Sequence, residues 1–165
     1  MNLLLHESIH LAFTFLSIFV VWKKYKNFWV TLSAAFIGGI LIDLDHIIDY
    51  VLAFGLTFNL NFFLEGYQFL KTDKLFLFFH AYEYAFILGI LFWFIKKNIK
   101  LKAFILALAI SMFLHLIFDS YTNKIYVRSY FILERLNQNF DLKKLVYPDH
   151  YIKHEKQKKL IFPKD

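Results

Sequence analysis

Apolar residues along this chain gather into long runs separated by short lysine-rich segments. Four runs, over about 3–22, 28–54, 75–95 and 103–121, are each close to or above the ~20 residues a helix needs to cross a bilayer. The first ends at Lys23-Lys24-Tyr25-Lys26, and the third ends at Lys96-Lys97 with Lys100 and Lys102 following. The second is longer than a crossing requires, so its end is expected to lie over a site or to be broken. Gly38-Gly39, inside that run, lets a neighbouring backbone approach or loosens the helix. Residues 55–74 read as an interfacial connection. After Thr122-Asn123 the character changes: 125–142 is mixed and amphipathic, which predicts a helix on the membrane surface. From Lys143 the chain is a lysine-rich tail in which Pro148 and Pro163 read as breaks. The expected fold is an all-α integral membrane protein, a bundle of about four transmembrane helices with an amphipathic surface helix and a basic C-terminal tail. The first run lacks the basic start and small-residue cleavage pattern of a signal peptide, so it is read as a retained span.

Polar exceptions inside these runs carry the chemistry. They are His6-Glu7-x-x-His10, Asp43-x-Asp45-His46-x-x-Asp49, His80-x-x-Glu83 and His115-x-x-x-Asp119. An ionisable group at the centre of a membrane helix costs roughly 2.5–3.5 kcal/mol on insertion scales. One such group can be a packing accident; four clusters point to a common site. If the four runs cross alternately, the lysine loops at 23–26 and 96–102 share one face and all four clusters fall toward the other. His6 and His10, and likewise His115 and Asp119, sit one helical turn apart on a common face. Asp45 and Asp49 have the same spacing, and carboxylates so close in a low dielectric need protons or a cation. Imidazoles and carboxylates in this pattern point to metal. His6, His10, Asp45, His46, His80, His115 and Asp119 are the candidate ligands, with Glu83 and Asp43 as candidate proton acceptors. On this reading 1–123 form a transmembrane metal-binding bundle, and 124–165 the amphipathic helix and tail. Asp149, His150, His154 and Glu155 in the tail read as solvated.

Composition narrows the metal and the partners. The chain of 165 residues is 59% hydrophobic, above the ~45–50% of soluble domains. With no cysteine, thiolate sites and disulfides are excluded. A metal must be held by imidazole and carboxylate, which suits zinc first, with manganese, iron or magnesium as alternatives, and more than one ion is expected. A formal charge of +6 on such an apolar chain is read as contact with lipid headgroups rather than with nucleic acid. Trp22, Trp29 and Trp93 fit aromatic belts. Short lysine loops belong on the cytoplasmic side by the positive-inside rule, which turns the clusters toward the extracytoplasmic leaflet; the basic tail argues the reverse.

The pattern resembles the membrane-bound metal-dependent hydrolases related to the LexA-binding inner-membrane-associated (YdjM-like) proteins. The residues that carry the resemblance are His6 or His10, Gly39 through Asp43-Leu44-Asp45-His46, His80, and His115 through Asp119 with Thr122. They span about 1–123. There are departures: Ile42 stands where that family often has proline, and His80-Ala81-Tyr82-Glu83 where it often has a second histidine, so the resemblance implies Glu83 as the replacement ligand. Motif similarity between that family and helical zinc-dependent phospholipase C enzymes implies a phosphoester substrate.

The expected function is therefore a membrane-embedded metal-dependent hydrolase that acts on a lipid or lipid-linked phosphoester through metal-activated water. Two other readings compete. One is a non-catalytic membrane scaffold or metal-binding protein. The other is an intramembrane metalloprotease, because His6-Glu7-Ser8-Ile9-His10 has the H-E-x-x-H spacing in which both histidines bind zinc and the glutamate is the base.

Overall fold

Leu3–Tyr25 forms one uninterrupted helix, α1, as the first apolar run predicts. A computed structural model of the chain describes residues 3–163, Leu3 by its backbone alone. All regular structure among these residues is helical, apart from two isolated bridges. Two compact units form, one from the segment up to Ile42 plus Ala81–Thr122, the other from Asp43–His80 plus the segment from Asn123 onward.

The first unit holds α1, α2 (Phe28–Gly39), and the two later helices Tyr82–Phe94 and Ile99–Thr122. Its core is built on small residues. Ala34 and Ala35 on α2 and Ala103 and Ala107 on the Ile99–Thr122 helix are fully buried with Val21 of α1. Small side chains let helix backbones approach closely, which is how helices associate where apolar surroundings give no hydrophobic drive. The approach is closest at the glycines. A Cβ on Gly38 would lie 2.7 Å from the Leu108 carbonyl oxygen, and one on Gly39 would lie 2.1 Å from Thr14 Oγ1 and 2.3 Å from Ser111 Oγ. Ser111 Oγ donates to the Ala35 carbonyl at 2.7 Å and stitches the two helices together. Facing outward are Phe15, Phe19, Trp29, Phe86, Trp93 and Phe94, all exposed. Helices apolar on their outer face suit a hydrocarbon solvent.

Two helices, Leu4–Tyr25 and Ile99–Thr122, are long and apolar enough to cross a membrane; a third span is counted if the broken pair Phe28–Gly39 and Leu41–Phe54 is taken as one. The expectation of about four spans is corrected at the third run. Only Tyr82–Phe94 is helical there, 13 residues, or about 20 Å at ~1.5 Å per residue, short of the ~30 Å hydrocarbon core. Residues 73–81 are instead irregular, with Lys74 bridged to Asp141, Asp73 and Leu77 at φ +52° and +40°, and a turn at 78–79. Their amides are taken by buried carboxylates, described below, and those amides are then lost to a helical ladder. The second run is broken, as its length suggested: a 3₁₀ turn, Leu41–Leu44, separates α2 from α3 (Asp45–Phe54).

The second unit holds α3, α4 (Leu60–Leu64), α5 (Tyr67–Thr72) and the C-terminal elements. With α6 for Tyr82–Phe94 and α7 for Ile99–Thr122, these last are α8 (Ile132–Asn137), α9 (Leu142–Leu145) and α10 (Pro148–Ile161). The single surface helix expected over 125–142 is absent among the described residues. Positive φ at Asn139 (53°) and Phe140 (55°) ends α8, and the chain pairs back onto 73–75 through Leu75 N–H to the Phe140 carbonyl (2.9 Å) and Leu142 N–H to that of Asp73 (3.0 Å). Pro148 starts a helix rather than breaking a tail, since its missing N–H is not needed in a first turn. His154, expected to be solvated, is 7% exposed. Its Nε2 donates to Asp73 Oδ1 (2.8 Å) while Lys158 Nζ donates to Oδ2 (2.5 Å), tying α10 to the end of α5.

Two predictions follow from this packing. Gly39→Ala should destabilise the protein by about 1–3 kcal/mol, the usual cost of forcing atoms into a filled core, read as a lower melting temperature in detergent. Burial acts to raise the Asp73 carboxyl, but the hydrogen bonds from Lys158 and His154 outweigh it and hold it below the ordinary carboxylate value. A depressed folded pKa stabilises above the unfolded value, ~3.9, and that contribution disappears as pH falls through the lower folded one. Protection of the α10 amides from hydrogen exchange should therefore fall on acidification through that window, and Asp73→Asn should flatten this dependence.

Candidate metal centres

In the first unit α1 presents His6 and His10 one turn apart, and α7 presents His115 and Asp119 likewise. The Asp119 carboxylate is the meeting point. His6 Nε2 and His10 Nε2 lie 3.2 and 3.1 Å from its Oδ1, and His115 Nε2 lies 3.3 Å from Oδ2. The two α1 imidazoles are 2.8 Å apart, Nε2 to Nε2, and the His10 and His115 rings stack with centroids 3.7 Å apart. His10, His115 and Asp119 are all buried; His6 is partly exposed.

Proton accounting in this group points to a cation. The Gly39 carbonyl can only accept, so His115 Nδ1, 3.0 Å away, is the protonated nitrogen. That leaves the Nε2 lone pair facing a carboxylate oxygen, an arrangement that needs either a second proton or a positive ion. At 2.8 Å the His6 and His10 nitrogens cannot both present lone pairs either. Protonating both His10 and His115 would stack two imidazolium ions at 3.7 Å, a like-charge contact in a poorly screened interior. One divalent ion held by neutral imidazoles and the carboxylate relieves all of these conflicts, and His6, His10 and Asp119 offer three donor atoms within 4.8 Å of one another.

In the second unit the break after α2 places Asp43 in the 3₁₀ turn, and α3 carries Asp45, His46 and Asp49. Opposite them, the non-helical segment ends at His80. Its Nε2 lies 3.1 Å from Asp43 Oδ1, and its Nδ1 lies 3.0 Å from Asp45 Oδ2. His46 Nε2 is 3.8 Å from the same Asp43 oxygen. Asp43, His46 and His80 form the second set of three donors. His80 is 1% exposed on its side chain, whereas Asp43 and His46 are each 29% exposed, so this group keeps an accessible side.

Asp45, read from spacing as a ligand, stands behind His80. It is fully buried, accepts from Phe79 N–H at 2.9 Å and accepts from His80 Nδ1–H at 3.0 Å. Such a carboxylate–histidine pair fixes the imidazole tautomer and aims the other nitrogen at a metal. Asp49 holds backbone instead: Oδ1 accepts from Phe76 N–H (3.1 Å) and Oδ2 from Leu77 N–H (3.0 Å). Glu83, expected as proton acceptor or ligand, is half-buried in the first turn of α6 and belongs to neither donor set among the described residues. Another gathering, Asp73, His154 and Glu155, is possible by distance alone, but Lys158 already neutralises Asp73 and no cation is needed there.

Sequence reasoning missed Arg135, which is buried at 1% exposure. The available signal was compositional: it is one of only two arginines among 19 basic residues, and arginine is the cation suited to satisfying several carbonyls at once. Comparison with protein-family models, curated proteins and solved structures finds no match to this chain.

A metal that binds the folded chain alone stabilises it by mass action, about 2.7 kcal/mol at a hundredfold excess over Kd. Zinc titrated into metal-stripped protein should raise the melting temperature, and His10→Ala or Asp119→Asn should each remove one equivalent of bound zinc.

Proposed function

We propose that this chain is a membrane-embedded metal-dependent hydrolase acting on a lipid or lipid-linked phosphoester. The observation that carries the reading is the half-open group of Asp43, His46 and His80, with His80 aimed by Asp45. Three protein donors and an accessible side characterise catalytic metal sites, whereas closed sets characterise structural ones. A divalent cation there, zinc by preference and manganese, iron or magnesium as alternatives, supplies Lewis-acid polarisation of a phosphoryl oxygen and activation of water.

The chain's own residues would do the rest. His46 and His80 contribute neutral nitrogens, and Asp45 keeps the His80 proton on Nδ1. Asp43 would supply the third donor through Oδ1, the oxygen 3.1 Å from His80 Nε2. The enclosed group of His6, His10, His115 and Asp119 would hold a second ion and tie α1 to α7. The phosphoester class rests on the motif resemblance. A lipid substrate is favoured by the apolar outer surface of α1 and α7, which would keep the protein in the bilayer.

Elemental analysis of detergent-purified protein should find at least one equivalent of zinc, manganese or iron, and Asp43→Asn or His80→Ala should remove part of it. With a fluorescent lipid phosphoester, Asp43→Asn should lower turnover in step with the metal it loses. Glu7→Gln should leave turnover nearly unchanged; loss of activity in that variant alone would favour the protease reading. Absence of metal even after supply, with no turnover, would reduce both groups to proton-sharing networks and overturn the proposal.

A further inference from the structure

The geometry points to Arg135 as the positioning residue of the His80 group. Its buried guanidinium, working against Asp45 and Asp49, holds the irregular segment that presents the His80 ring. The functional consequence rests on the proposed metal role of Asp43, His46 and His80; the positioning itself does not.

Peptide groups between Phe76 and His80 belong to no helix or sheet ladder, yet buried backbone polar groups must find partners. Charged side chains supply them from two sides. Asp49 takes the amides of Phe76 and Leu77, and Asp45 takes that of Phe79. Arg135 Nη2 donates to the Leu77 carbonyl at 2.8 Å, and Nη1 donates to the carbonyls of His80 (2.9 Å) and Ser129 (3.0 Å). Leu77 is thus gripped at both its N–H and its C=O. It is also the residue at φ +40°, a conformation that persists in a branched residue only when its surroundings over-determine it.

The His80 ring is held in the same way. Its carbonyl is fixed by Arg135 and its Nδ1 by Asp45, so main chain and ring are each anchored, and Nε2 is left toward Asp43. A planar guanidinium with several fixed donors can serve three carbonyls together; an ammonium on a shorter reach cannot reproduce that fork. Arg135 lies on α8, a helix of only six residues, pinned at its far end by Phe140 N–H to the Arg135 carbonyl (2.7 Å). The C-terminal segment therefore belongs to the scaffold of the His80 group, rather than standing apart as a surface helix.

The test uses the full chain in lipid nanodiscs, first stripped of metal. Hydrogen exchange at Phe76, Leu77 and Phe79, and the ¹⁵N shifts that report the His80 tautomer, are compared between wild type, Arg135→Lys and Arg135→Met. The expected result is lost protection at those three amides and a mixed His80 tautomer in both variants, with α1 and α7 still protected. Arg135→Lys keeps the charge and serves as the decisive variant if Arg135→Met fails to fold. Zinc affinity of the Asp43–His46–His80 group should then fall by about 10–100-fold, the range for lost orienting partners. Wild-type exchange and tautomer in Arg135→Lys would overturn the assignment, and a loosened segment with unchanged zinc affinity would overturn its functional consequence. If the wild type binds no metal, the hydrolase reading falls, while exchange and tautomer still decide whether Arg135 positions His80.

Discussion

A carboxylate buried among apolar side chains has to be met by hydrogen-bond donors or by a cation, because neither water nor a polar medium is there to solvate it. Both units are organised by that requirement. In one, Asp119 is met by three imidazoles delivered from two helices. In the other, Asp45 and Asp49 are met by backbone amides, and the chain that offers those amides gives up its own helix to do so. The non-helical segment ending at His80 is the cost of satisfying two buried carboxylates, and the position of His80 beside Asp43 is its result.

Close helix packing is the second condition. The Asp119 group depends on α2 lying near enough for the Gly39 carbonyl to hold His115 Nδ1. Only a residue without a side chain permits this, since a Cβ there would overlap Thr14 and Ser111. Thr14 itself turns its hydroxyl onto the His10 carbonyl at 2.9 Å, so it adds no unmet polar group. Small residues at the packing seam and polar residues at one end of it are thus two parts of one arrangement.

Much of the candidate chemistry was legible in the chain because helical spacing is rigid. His6 with His10 and His115 with Asp119 had to share faces once α1 and α7 were helices, and both are. Asp43, His46 and His80 were singled out as ionisable groups in apolar runs, and they meet. What could not be read was the use of carboxylates by the backbone. Asp45 and Asp49, one turn apart, look the same whether they face a metal or the amides of 76–79. For the same reason the run over 75–95 carried no sign that its first third would leave the helix: Leu-Phe-Leu-Phe-Phe is as apolar in an irregular segment as in a helix. Arg135 and His154 sat in segments whose polarity suggested solvent, and long-range partners, Leu77 with His80 and Asp73, took them inside.

Charge counting separates the two groups further. In the second unit Asp43, Asp45 and Asp49 carry three negative charges and Arg135 one positive, so the ionised group lacks two positive charges, the charge of one divalent ion. Binding such an ion there would leave the surroundings neutral, which favours retention in a low dielectric. In the first unit a divalent ion would meet only the single charge of Asp119 and keep an excess of one positive charge. An uncompensated positive charge in a buried group is costly, and an anion relieves it.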